Sequence, residues 1–151
     1  MPTHYSARTT AGRLPNDEER NRAAILWSLV AVGLLLHNVL HIFSYIAELA
    51  RVTRDMAPFE LEIYDVGVLW AYAITLAPVI LPALLSICGK GKASAWVALL
   101  LGTALVFMHA LAGWYHGIYD GASYLAFSAT VAILLPAFFA TRSSWRLIRS
   151  A

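Results

Sequence analysis

Four apolar runs, at about residues 23–49, 62–88, 93–117 and 122–141, constrain this chain more than any other feature. Each is long enough to cross about 30 Å of hydrocarbon, which takes roughly 20 residues at about 1.5 Å per residue. A membrane strand would need only about 10 residues and would alternate apolar with polar side chains. None of the four runs alternates. Helices are therefore expected, since a lipid-embedded backbone must satisfy its own hydrogen bonds. Composition agrees: 60% of the residues are hydrophobic and 13% charged, too few charges to cover a water-soluble domain of 151 residues.

The connections are short. Residues 50–61 form the longest, with Pro58 as a breaker and Asp55 as a candidate cap; Gly89-Lys90-Gly91-Lys92 and Tyr119-Asp120-Gly121 form tight turns. Short links force successive helices to lie antiparallel, so the expected fold is all-α, an integral-membrane up-down-up-down four-helix bundle over residues 23–141. Residues 1–22 read as a polar N-terminal tail, and 142–151 as a basic C-terminal tail. The polar start has no basic segment leading into a short apolar core, so no cleavable signal peptide is expected.

Nine of the eleven Lys and Arg residues lie before the first run, between the second and third, or after the fourth; only Arg51 and Arg54 lie on the other side. The positive-inside rule then puts both termini in the cytoplasm, in a bacterial-type cytoplasmic membrane. Glu48, Asp55, Glu60, Glu62, Asp65 and Asp120 gather at the opposite, outer side. In the tail, Arg142, Arg146 and Arg149 interleave with Trp145, Leu147 and Ile148, a pattern that suits anionic lipid headgroups rather than nucleic acid. Trp27 and Trp96, with Trp114, Tyr115, Tyr119 and Tyr124, read as interfacial aromatic belts. Pro78, Pro82 and Pro136 are expected to kink the second and fourth spans. The lone Cys88 excludes an internal disulfide and reads as a small core residue.

Candidate chemistry lies with the histidines. Ionisable groups at membrane depth are costly unless partnered, which makes them functional candidates. His37, His41, Ser44 and Glu48 are spaced 4, 3 and 4 apart; so are His109, Gly113, His116 and Asp120. Each set forms one stripe on a helix. The fourth span offers Ser123, Tyr124, Ser128 and Thr130, and the second Glu62, Asp65 and Tyr72. Converging, these faces would line a cavity open to the outer side.

Four readings follow. The cavity could bind a transition metal, with His37, His41, His109 and His116 as imidazole ligands for copper, zinc or iron and Asp65, Glu62 or Glu48 completing the shell. His37 and His109, at similar depth, could instead be axial ligands of a b-type haem, with Gly33, Gly102 and Gly113 making room. The stripes could only hydrogen-bond across helices, as in a non-catalytic accessory subunit of a larger membrane complex or a homo-oligomer. A His/Asp/Glu line could also relay protons, but nothing polar continues it inward beyond Thr75, Ser86 and Thr103. Metal handling or redox is the expected role; whether the chain is an enzyme stays open. The segment Leu36-His37-Asn38-Val39-Leu40-His41 resembles the N-x-x-H signatures of small four-span bacterial membrane proteins of the DoxX type. That resemblance covers six residues and the span count, and implies a fold but no activity.

Overall fold

The computed structural model describes residues 15–54, 67, 70, 73, 74 and 76–150. Every regular element among them is helical: α1 (Pro15–Arg54), a 3₁₀ segment Ala77–Ile80 running into α2 (Leu81–Cys88), α3 (Lys92–Tyr119) and α4 (Ser123–Ser150). Three helices, Asp17–Arg54, Lys92–Tyr119 and Ser123–Ser150, are long and apolar enough to cross a membrane, and Ala77–Cys88 is apolar but shorter. The expected second span is thus described mainly in its C-terminal part. Glu62, Asp65, Tyr72 and Thr75 lie outside the described residues, as do Asp55, Pro58 and Glu60.

Both outer helices overrun the apolar runs. α1 opens with a proline and carries Asp17 and Glu18 in its first turn and Arg51 and Arg54 in its last, all favourable to the helix dipole. The basic segment after residue 141 continues α4 as far as Ser150. Ser143, Ser144, Leu147 and Ile148 are buried there, and the Ser143 hydroxyl donates to Glu19 Oε2 at 3.0 Å. Packing against the first turns of α1, rather than propensity, extends both helices.

α1 packs against α2 and α4, α3 packs against the same two, and α1 meets α3 only narrowly across the diagonal. These are the neighbours that successive antiparallel helices produce. Two turns close the chain between helices with glycine at positive φ, Gly91 at 85° and Gly121 at 69°. The core is built around Trp27, Leu34, Ile133 and the small residues Ala98, Ala129 and Ala140. Outward, Phe43, Phe107, Phe127 and Phe138 are each more than half exposed, a surface suited to lipid rather than water.

Two expectations are corrected. Trp27 is not a belt residue: it is 1% exposed, donates its indole N–H to Ser144 Oγ at 2.9 Å, and rests on Gly102. A Cβ at Gly102 would come within 2.3 Å of the indole ring, so only glycine fits beneath it. The indole is buried because α4 runs on past residue 141 and covers it. Cys88, expected in the core, is exposed at the end of α2.

Pro136 acts by widening α4 rather than by breaking it. Residues Ala129–Leu134 form a π-helical segment between two α-helical stretches. Proline at 136 has no N–H for the Ala132 carbonyl and its ring crowds that oxygen. The freed oxygen turns to α1, where a Cβ at Gly33 would lie 1.8 Å from it. Gly33 thus admits a carbonyl displaced by Pro136 and lets the two backbones approach closely.

Candidate functional site

The two stripes do converge. His37 and His41, one turn apart on α1, meet His109 and His116, two turns apart on α3, around one cavity of about 180 Å³ that Asn38, Met108 and Ala112 also line. The convergence depends on small residues. A Cβ at Gly113 would lie 2.8 Å from His37 Cε1 and 2.7 Å from Ala129 Cβ, so glycine lets α3 close on both α1 and α4. One turn on, a Cβ at Gly117 would meet Ala126 at 2.5 Å. Gly113 and Gly117 form a small-xxx-small face that draws α3 onto α4.

Three of the four imidazoles are oriented through Nδ1. His37, 4% exposed, has Nδ1 2.7 Å from Ser128 Oγ. The Ser128 hydroxyl donates its only proton to Leu125 O at 3.0 Å, which leaves its oxygen to accept from His37 Nδ1–H. His109 Nδ1 lies 2.9 Å from Leu105 O, and a carbonyl can only accept. His116 Nδ1 lies 2.5 Å from Asp120 Oδ2, again an acceptor. In the neutral form each ring then carries its proton on Nδ1 and keeps the Nε2 lone pair. An oxygen acceptor behind Nδ1 is the arrangement that fixes a histidine to act as an Nε2 ligand.

His41 is held differently. Its ring meets that of His116 edge to face, centroids 4.7 Å apart. The pair stands between the inner cavity and a wider recess of about 650 Å³, which both rings also line. That recess carries Ser44, Tyr45, Glu48, Arg51, Asp120 and Tyr124. Glu48 accepts two bonds from Arg51, at 3.0 and 2.6 Å, and the Tyr124 hydroxyl donates to Ser44 Oγ. The recess thus combines carboxylates, phenols and one guanidinium, and leads from the acidic end of the bundle to the histidines.

Among the described residues, no three His, Cys, Asp or Glu side chains stand close enough together to hold an ion as placed. Glu62 and Asp65 are outside the described residues. Of the expected polar faces, Ser128, Tyr124 and Ser44 join the site, while Thr130 donates to Ala126 O at 2.8 Å and accepts from Trp114 Nε1 at 3.1 Å. Asp120, on the same stripe as His116 in sequence, serves in the structure as the acceptor behind its Nδ1, a pairing that an i, i+4 His–Asp spacing signals. Nothing in the sequence signals the Leu105 carbonyl behind His109. No protein family, curated protein or solved structure matches this chain.

Proposed function

We propose that this is a membrane protein crossing the bilayer four times, with both termini cytoplasmic, that binds a transition-metal ion among His37, His41, His109 and His116. The observation that carries the reading is the shared tautomer: three imidazoles lining one cavity each give Nδ1–H to an oxygen and keep Nε2. Neutral imidazole suits copper, zinc or iron. Centroids 4.7 Å apart allow His41 and His116 to turn toward one ion at metal–nitrogen distances of about 2.0–2.1 Å. Glu62 and Asp65 are the proposed carboxylates of the shell, and the acidic recess is the proposed approach for a cation. Because the His37 ring presses directly on Gly113, an ion suits this space better than a haem macrocycle. Metal handling or electron transfer is the role proposed.

A second reading has its own observation. The His37–Ser128 bond joins α1 to α4 and satisfies a buried polar group, as a purely structural clasp would. In that reading the chain is an accessory subunit.

Purification in mild detergent with elemental analysis and an absorption spectrum separates the two. Stoichiometric copper, zinc or iron, lost in His37→Ala and His109→Ala, is expected. A Soret band would replace the ion by haem. A stable, colourless and metal-free protein that takes up none of these ions would leave the structural clasp.

A further inference from the structure

The opposite end of the bundle carries a second, unrelated cluster. Arg22 of α1 and Phe139, Arg142, Ser143 and Arg146 of α4 line a cleft of about 70 Å³, room for a few water-sized groups. On α4 the spacing of Phe139, Arg142 and Arg146 puts one aromatic ring and two guanidiniums on a single face, and α1 brings the third guanidinium to it. Burial of Ser143 and Ser144 against α1 makes the juxtaposition, so the cleft is a product of helix packing and not only of a basic tail.

Its charge is unbalanced. Glu19 approaches Arg146 at 3.7 Å, and its carboxylate is turned that way by the Ser143 hydroxyl at 3.0 Å. Among the described residues Arg22 and Arg142 have no acidic partner. Three guanidiniums and one carboxylate leave a net charge of +2 around a space of about phosphate size. Arginine forks match phosphate oxygens in pairs, which ammonium groups do not. Phe139, 44% exposed, and Phe138, 64% exposed, continue from the cleft along the apolar side of α4. An anion bound here has an apolar lane beside it.

We infer that this cleft binds the phosphate of an anionic phospholipid with a small headgroup, its acyl chains lying along Phe139 and Phe138. The fit is to phosphatidate, whose phosphate monoester carries between one and two negative charges near neutral pH and so matches the unbalanced charge, where a phosphodiester carries one. The inference requires that the bundle sit in a bilayer but not that the histidines bind an ion. The two can fail separately.

The test uses the full chain in detergent, with the thermal midpoint followed as short-chain phosphatidate is added, because a ligand that binds only the folded state raises that midpoint. A saturable rise is expected with phosphatidate and none with phosphatidylcholine of the same chain length. Arg22→Gln and Arg142→Gln should each weaken apparent affinity roughly tenfold or more, as loss of a charge-assisted bond does. Arg149→Gln should cost less than about fivefold, since that guanidinium stacks over Trp145 at 5.3 Å and lies outside the cleft. If the Gln variants do not fold, Arg22→Lys and Arg142→Lys keep the charge and lose the fork; a several-fold loss supports the cleft and no loss overturns it. Equal losses at all three arginines would reduce the effect to surface charge. An equal rise with inorganic phosphate at the same concentration would overturn the lipid assignment.

Discussion

Ser128→Ala isolates the device on which the ion reading depends. The substitution removes the oxygen that accepts His37 Nδ1–H at 2.7 Å, at a site where His37 is 4% exposed and Ser128 is 7% exposed. Water cannot easily replace it there. An unsatisfied buried donor costs about 1–3 kcal/mol. Hydrogen bonds between membrane helices average nearer 0.6 kcal/mol because the unfolded reference also finds partners. The lost bond from Ser128 to Leu125 O weighs little, since such back-bonding barely supports a helix. A stability loss of about 1 kcal/mol is therefore expected. The effect on the ion should be larger. Without its acceptor the ring can move its proton to Nε2, which then no longer ligates, and loss of an outer partner typically costs 10–100-fold in metal affinity. Thermal unfolding in detergent reads the first quantity, and titration with copper or zinc against a competing chelator reads the second. Ser128→Thr, which keeps the hydroxyl, should restore most of the affinity. A folded Ser128→Ala protein that binds the ion as tightly as the parent would refute the orientation argument.

Other outcomes follow from the packing. Gly33→Ala should destabilise by about 3 kcal/mol or more, because its Cβ would stand 1.8 Å from a backbone oxygen that cannot rotate away. Gly91→Ala meets nothing within 4 Å but must hold φ 85° with ψ −178°, a backbone conformation nearly confined to glycine, and should cost about 1–3 kcal/mol; denaturation midpoints compare the two. Pro136→Ala should partly rescue Gly33→Ala, since an amide at 136 recaptures the Ala132 carbonyl, and a double-mutant cycle with no coupling would disprove that link. Trp27→Phe should lose about 1–2 kcal/mol by stranding Ser144, which is 1% exposed. Ion affinity should fall as pH is lowered, because protons compete for Nε2; a pH-independent titration would argue against histidine ligands.

The helices were legible in the sequence because length and apolarity alone decide them in a chain so poor in charge. The ends of α1 and α4 were not. Residues 15–22 and 142–150 are polar by composition, and only their mutual packing, through Ser143, Ser144, Leu147 and Ile148, makes them one helical end of the bundle. Trp27 misled for the same reason, since a tryptophan near the end of an apolar run reads as interfacial until another helix covers it. The 4-3-4 spacing puts each pair of histidines on one face of its helix, and Gly113 lets those faces close on the cavity that His37, His41, His109 and His116 line. The partners behind them were less accessible. Ser128 belongs to another helix, at the last position before the π-helical segment that begins at Ala129. Pro136 hinted at an irregularity there but not at a widening matched to Gly33.

X-ray absorption at the edge of the bound metal tests the central claim most directly. The account predicts a first shell of nitrogen or oxygen near 2.0–2.1 Å with the outer scattering of imidazole rings, reduced when His37 and His109 are both replaced by Ala. A protein that folds but retains no ion for the measurement, or an ion whose shell shows no imidazole and is unchanged in that double variant, would contradict it.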